Sequence, residues 1–271
     1  MPEGHTIHRY ARLHRALLVD RRVAAWSPQG RFAAGAAQVD GARVRDVEAH
    51  GKHLFYRFVA NGGSDAHDLS LHVHLGLFGR FREYGADPRA PTLGTRLVLS
   101  TTDVELQLAG PTACELVDPE AEARLRARLG PDPLRGDDPA PAFAALRRRR
   151  VGIGHALLDQ TVIAGVGNVY RSELLFLLGI DPDRPARRLD RPTFDELWRV
   201  LRGLLVDGER RGRIVTITPG DRTRPPSRLR RDERLYVYKR TGRPCRRCGT
   251  PIRSWELGAR SVFACPSCQA V

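Results

Sequence analysis

Apolar side chains recur at helical spacing from Glu3 to Leu18, at Ile7, Tyr10, Ala11, Leu17 and Leu18, with arginine and histidine between them. That periodicity predicts an amphipathic helix holding the amino terminus against a core. Shorter segments of β character follow at Arg22–Trp26, Ala42–Ala49, His53–Val59, Leu69–Leu75, Arg80–Glu83, Thr95–Ser100 and Glu105–Leu108. Clusters of Gly, Asn, Pro and Asp separate them, which predicts an antiparallel sandwich or barrel across residues 1–117. The period then changes. Pro119–Leu129, Ala140–Arg150, Gly154–Val162, Asn168–Leu178 and Thr193–Arg210 read as helices, so residues 118–217 form a helical second domain. The Pro- and Arg-rich run 218–234 lacks periodicity and reads as an exposed connection, and residues 235–271 as a small cysteine-bearing module. The fold class is α+β and multidomain.

Composition narrows the partner. Over 271 residues, 45 Lys+Arg against 31 Asp+Glu leave a formal charge of +14, which favours a polyanion and makes nucleic acid the first candidate. No stretch approaches the ~18 to 20 apolar residues needed to cross a bilayer. The amino terminus also lacks the apolar segment of a signal peptide, so the expectation is a cytoplasmic, nucleoid-associated protein with no membrane partner. Only two lysines occur, Lys52 and Lys239. In a chain that otherwise takes its positive charge from arginine, a retained lysine points to a need for an amine, since guanidinium stays protonated. Chance explains Lys239 as well.

Four of the five cysteines fall in the pattern Cys245-x2-Cys248-x16-Cys265-x2-Cys268. This spacing fits a four-thiolate zinc site with each pair on one knuckle. Such a closed site does no chemistry. It builds a fold in a segment too short for a core, and here would present Arg243, Arg246, Arg247 and Arg260 to a polyanion. Cys114 reads as a buried small hydrophobe.

Three further segments carry weaker signals. In Leu157–Tyr170, a tight turn with Gly165 and Gly167 lets backbone N–H groups approach an anion, and Asn168 is expected to cap the following helix. Gly51-Lys52-His53-Leu54-Phe55 reads as a strand start, with the direction of Lys52 set by register. His72-Val73-His74-Leu75-Gly76-Leu77-Phe78-Gly79 reads as a strand ending in a loop that exposes Leu77 and Phe78, either as core packing or as wedges between bases. At the start, Met1-Pro2-Glu3-Gly4-His5 offers two readings. Pro-Glu suits a first helical turn. If Met1 is trimmed, Pro2 instead becomes a secondary amine able to attack an aldehyde-like carbon, with Glu3 beside it to move protons.

Taken together, MPEGH at 1–5, GKHLF at 51–55, LLDQTVIAGVGNVYRSELLF at 157–176 and CRRCG…RSVFACPSCQ at the end resemble the formamidopyrimidine-DNA glycosylase/endonuclease VIII family of base-excision-repair enzymes. The match runs the length of the chain and looks nearest the endonuclease VIII branch of actinobacterial type. The resemblance implies a β-sandwich with a leading helix, a helix-two-turn-helix domain and a zinc finger. It implies a bifunctional DNA glycosylase/AP lyase acting as a monomer on damaged double-stranded DNA, with bubble or single-stranded DNA as further candidates. By the same resemblance Pro2 corresponds to the nucleophile, Glu3 to the acid/base and Lys52 to a phosphate-contacting catalytic lysine. Asn168 and Arg260 correspond to backbone-gripping residues, and Leu77 and Phe78 to the residues that fill the gap left by the extruded base. One structural zinc is implied at Cys245, Cys248, Cys265 and Cys268.

The chain also departs from the 8-oxoguanine-directed branch. Leu108-Ala109-Gly110-Pro111-Thr112-Ala113-Cys114-Glu115 lacks that branch's loop arginine and phenylalanine, and Leu77 stands where it carries methionine. Oxidised pyrimidines are therefore the expected substrates. The rival readings are a non-catalytic zinc protein that binds damaged DNA, and an AP lyase with weak glycosylase activity.

Overall fold

The computed structural model describes residues 2–59, 69–222 and 224–270; Met1, whose removal would expose the Pro2 amine, lies outside them. The chain divides into two compact units, Met1–Arg128 and Leu129–Val271.

The first unit is an antiparallel sandwich behind a helix. Helix α1 (Gly4–Leu18) buries Ile7, Ala11, His14 and Leu18, the stripe that a 3.6-residue period requires. One sheet has the order β2 (Arg43–His50), β3 (His53–Val59), β4 (Leu69–His74), β8 (Ala113–Val117). The other has the order β1 (Ala24–Trp26), β6 (Thr95–Ser100), β7 (Glu105–Ala109), β5 (Arg80–Tyr84). Alternate residues Leu54, Tyr56 and Phe58 of β3 join Leu71 and Val73 of β4 and Leu97, Leu99, Leu106 and Leu108 in one core with α1. Two elements escaped the sequence pattern. Helix α2 (Ala33–Val39) is short and alanine-rich, and β8 has no buried/exposed alternation.

Helix α3 (Pro119–Ala127) belongs to this first unit, and the division falls after Arg128 rather than at residue 117, where the period changes. The cause is a polar clamp. Glu122 accepts from Arg57 at 2.8 Å and from Arg126 at 2.7 Å, and also takes the Ser70 hydroxyl at 2.5 Å. Arg126 also lies over the Phe55 ring at 4.2 Å. A change of period marks a change of element, and side chains on the neighbouring strands decide which body the element joins.

The second unit packs α4 (Ala140–Arg147), α5 (Ile153–Ala156), α6 (Asn168–Leu177) and α7 (Arg191–Arg211) around Leu146, Ile163, Val166, Tyr170, Leu174, Phe194, Leu197 and Leu201. The expected helix Gly154–Val162 shrinks to a single turn, because Asp159 bends the chain by accepting from Thr161 N at 2.9 Å. The two-residue turn of the hairpin β9 (Arg253–Leu257) and β10 (Arg260–Ala264) lies in the cysteine module. The run 218–234 is tied down, not loose: it forms three short 3-10 turns at Pro219–Asp221, Pro226–Arg228 and Arg231–Glu233. Tyr236 donates its hydroxyl to Asp221 at 2.5 Å, and Arg246 donates to the Asp232 carbonyl at 2.7 Å. Among the described residues, no helix is long and apolar enough to cross a membrane.

Candidate active site and nucleic-acid interface

The amino terminus of the first unit sets up an asymmetry. Pro2 is half-buried while Glu3 is fully buried, and Glu3 is the N-cap residue of α1. Its backbone carbonyl accepts from Thr6 N at 2.9 Å, and its carboxylate makes no capping bond. The side chain is thus held inside the protein rather than spent on the helix end. His5 is buried, and burial, with the positive chain terminus adding to it, pushes its pKa down to about 4. A neutral imidazole therefore stands beside the Pro2–Glu3 pair at pH 7.

Lys52 lies on the two-residue turn Gly51–Lys52 between β2 and β3, so it precedes the strand instead of lying within it. Around that turn the register lines up His50, His53 and His74 across three strands. His53 Nδ1 meets His72 Nε2 at 2.8 Å, and His72 Nδ1 meets Glu115 at 2.9 Å. Burial lowers the pKa of His53 to about 3, with His72, His74, His50 and Arg128 pressing the same way. His74 is lowered too, by burial, by His72 and by the Lys52 ammonium. Lys52 is thus a positive group beside the His53 and His74 imidazoles, whose pKa values are both lowered.

Beyond β4 the chain turns sharply through Gly76 to display Leu77 and Phe78, which are 44 % and 84 % exposed. Gly76 has φ +62°, and a Cβ there would fall 1.8 Å from Thr112 Oγ1, so a side chain is barred by both backbone and neighbour. Of the two sequence-based readings of Leu77 and Phe78, core packing is excluded by this exposure.

Asn168 and Arg260 are brought together in the second unit by a residue that sequence reasoning missed. Asn168 does not cap α6; Gly167 is the N-cap residue, and Asn168 opens the helix. It donates to the Ser261 carbonyl at 3.0 Å, immediately after Arg260. Arg171, fully buried one turn on, donates to the same carbonyl at 2.9 Å, to the Gly154 carbonyl at 3.2 Å and to the Asn168 side-chain oxygen. One guanidinium fork therefore locks α5, α6 and β10, the strand that follows the β9–β10 turn. Gly258, at φ +67°, lets that turn pass close to His155, whose ring a Cβ would meet at 2.7 Å. Arg260 remains exposed beyond it. Within the preceding turn Gly165 is left-handed, whereas Gly167 is extended, a conformation open to any residue.

Glu173 is the second missed residue. Its buried carboxylate accepts the backbone N–H groups of Tyr236, Val237 and Tyr238, each at 2.8 Å, and also takes the Thr216 hydroxyl. This binds α6 to the chain entering the cysteine module. The available signal was a charge pair, Arg171 and Glu173, set inside the apolar run of α6; buried charges of this kind require partners.

The four cysteine sulfurs lie within 4.8 Å of one another, with Cys245–Cys268 at 3.9 Å and Cys248–Cys265 at 3.4 Å. Four thiolates at 2.3 Å from one tetrahedral ion would lie about 3.8 Å apart, so the donor set fits zinc in number, chemistry and spacing. The arginines of this module divide in use. Arg246 braces the Leu235 and Asp232 carbonyls, and Arg247 stacks over Phe176 and Tyr236 at 5.0 Å from each ring. Both therefore brace the module while remaining exposed. A cleft of about 590 Å³ in the first unit, lined by Arg15, Arg45, Arg57 and Arg126, looks anionophilic but is largely neutralised: Arg15 pairs with Asp46, and Arg57 and Arg126 with Glu48 and Glu122.

Comparison with known proteins covers the whole chain. Residues 1–124 match the formamidopyrimidine-DNA glycosylase N-terminal domain, 129–218 the formamidopyrimidine-DNA glycosylase H2TH domain, and 242–271 a zinc finger found in FPG and IleRS. "Endonuclease 8 1" of Mycobacterium tuberculosis is 46 % identical over 99 % of this chain and 100 % of its own length. "DNA-(apurinic or apyrimidinic site) lyase Nei2" of Mycolicibacterium smegmatis is 36 % identical over 99 % of each chain. The fold is that of Lactococcus lactis Fpg solved in complex with a DNA containing N7-benzyl-Fapy-dG, at a TM-score of 0.80 with 24 % identity and full coverage of both chains.

Proposed function

Since this chain belongs to the formamidopyrimidine-DNA glycosylase/endonuclease VIII family, we infer that it is a DNA glycosylase and AP lyase of base excision repair that uses Pro2 as its nucleophile. The observation that carries the assignment is the pairing of a half-exposed Pro2 with a fully buried Glu3 at the start of a chain that matches the family from end to end.

With Met1 removed, the Pro2 nitrogen attacks C1′ of the damaged nucleotide as the base departs with its bonding electrons and a proton. Glu3 moves protons during base loss and sugar-ring opening. The resulting iminium makes the C2′ proton acidic. Its removal expels the 3′ phosphate, and a second elimination expels the 5′ phosphate, leaving a gap with phosphates at both ends. Lys52 holds a phosphate near the lesion as a point charge. Asn168 and Arg260 grip the backbone, and Leu77 and Phe78 take the place of the nucleotide turned out of the stack. Zinc, held by Cys245, Cys248, Cys265 and Cys268, is structural and fixes the hairpin that carries Arg260.

The substrate is damaged duplex DNA, engaged by a single copy of the chain in the cytoplasm. Oxidised pyrimidines are preferred over 8-oxoguanine. The connection from β7 to β8, Gly110-Pro111-Thr112, carries neither an arginine nor a phenylalanine to support an opposite cytosine.

Borohydride trapping on an abasic duplex tests the chemistry. Protein lacking Met1 should give a covalent adduct that maps to Pro2 by mass spectrometry, and protein with a fused amino terminus should bind DNA yet give none. Full-rate nicking by the fused protein would remove Pro2 from the mechanism.

A further inference from the structure

At one edge of the β1–β6–β7–β5 sheet, three chain segments leave the strands at the same register. Ala109 of β7 pairs with Thr95 of β6 on one side and with Arg80 of β5 on the other. The segment Leu77–Gly79 precedes Arg80, Gly110–Thr112 follows Ala109, and Leu93–Gly94 precedes Thr95. They also touch: Gly110 N donates to the Gly94 carbonyl at 3.2 Å, and a Cβ on Gly110 would lie 3.8 Å from the Phe78 carbonyl oxygen.

Leu93 is the conspicuous residue of this edge. Its side chain is 98 % exposed, more than that of Phe78 at 84 %. Nor is it on a slack loop. Thr95 N donates to the Thr92 carbonyl at 2.8 Å, Thr92 N donates to Thr95 Oγ1 at 3.1 Å, and Thr95 itself is fully buried. Leu93 thus occupies the first central position of a closed β-turn. Upstream, Gln107 Nε2 pins the Arg89 carbonyl at 2.6 Å. Gly, Pro, Asn, Asp and Ser suit turn positions of this kind, and a leucine held rigidly in water gains nothing for the fold. Its closed turn would spare a partner the cost of ordering it.

We propose that Leu93 is a third apolar contact with DNA, packing in the minor groove against the strand complementary to the damaged one. The inference rests on the reading of Leu77 and Phe78 as the residues that enter the duplex. Strands β5 and β6 flank β7, so Phe78 and Leu93 leave the sheet about 10 Å apart. That exceeds the ~3.4 Å step between bases on one strand, so Leu93 falls outside the vacated position, where it can meet the partner strand. Exposed Arg80 at the same register adds positive charge to the edge.

The test compares Leu93→Ser, Leu93→Met and Phe78→Ser on a duplex carrying a tetrahydrofuran abasic analogue and on the same damaged strand alone. Leu93→Ser should weaken duplex binding roughly tenfold, as expected for exposing one partly buried leucine, with single-strand binding and thermal midpoint unchanged. Leu93→Met should bind as the parent does. Loss with Phe78→Ser but none with Leu93→Ser would overturn the Leu93 contact and leave the wedge reading in place. No loss with either would remove the wedge reading and the contact with it. Equal loss on duplex and single strand would place Leu93 on the damaged strand and overturn the proposal.

Discussion

Arg171 shows how one side chain can set the geometry of its neighbours. It is fully buried and holds Asn168 and the Ser261 carbonyl together, so that the start of α6 and the strand carrying Arg260, far apart in sequence, form one unit. Arg171→Met should lower affinity for an abasic duplex by roughly ten- to a hundredfold, since three acceptors lose a charged donor worth about 1.5–3 kcal/mol each before relaxation. Trapping at Pro2 under saturating protein should survive, because the chemistry lies elsewhere. A variant that binds normally would show that Asn168 and the hairpin hold their places without it. Glu173→Gln is a matched case. The amide nitrogen or oxygen must face three backbone N–H groups that now meet a carboxylate, and a stability loss of about 3 kcal/mol is expected from denaturant unfolding. Both residues escaped sequence reasoning because their meaning depends on partners 90 and 43 positions away.

At the scale of elements, most helices and strands were legible because each buries one face, and burial imposes its period on the sequence. Helix α1 and strand β3 are clear examples. The exceptions have physical causes. β8 lies at a sheet edge with no strongly buried position, so nothing in Ala113–Val117 alternates. The run 218–234 has no period, yet it is anchored by Tyr236, Arg246 and Arg222, the last donating to the Ile217 carbonyl at 2.8 Å. The cysteine module is held differently. Its buried Tyr236, Val237, Ile252 and two of the cysteines share a small cluster with Phe176 of α6 and Ile217, a core too small to stand alone. Stripping zinc with a strong chelator should therefore unfold residues 235–271, abolish duplex affinity, and leave the β signal of the first unit in circular dichroism. Retained affinity after verified metal loss would contradict a zinc-dependent hairpin.

The whole molecule carries +14, and its binding should follow counterion release. If about six phosphates are neutralised, log affinity for an abasic duplex should fall with log salt at a slope near −5. A slope near zero would deny that charge drives association. Stability should depend on pH through the buried imidazoles. His5 and His53 have folded pKa values of about 4 and about 3 against 6.5 unfolded, and His14 and His74 are lowered as well. The unfolded chain therefore binds more protons below pH 6.5, so stability is full above that value and falls as pH drops toward 4. His5 and His53 each contribute about 2 kcal/mol of loss by pH 5. Thermal midpoints from pH 8 to 5 would check this, and a flat profile would mean the imidazoles are not neutral by burial.

The sequence alone was sufficient for whatever depends on local order or short spacing: the 3.6- and 2-residue periods, the two Cys-x-x-Cys pairs, the amine latent in Pro2, and the family resemblance built from four ordered motifs. These are carried by neighbouring residues and survive in a string of letters. What only the tertiary structure decided depends on contacts between distant segments. It placed α3 with the sandwich, turned Arg246 and Arg247 into braces, joined Asn168 to the Arg260 hairpin through Arg171, and left Leu93 in water beside Phe78. Burial and hydrogen-bond satisfaction belong to the packed molecule, and the same residue reads as surface charge or as keystone until its partners are in place.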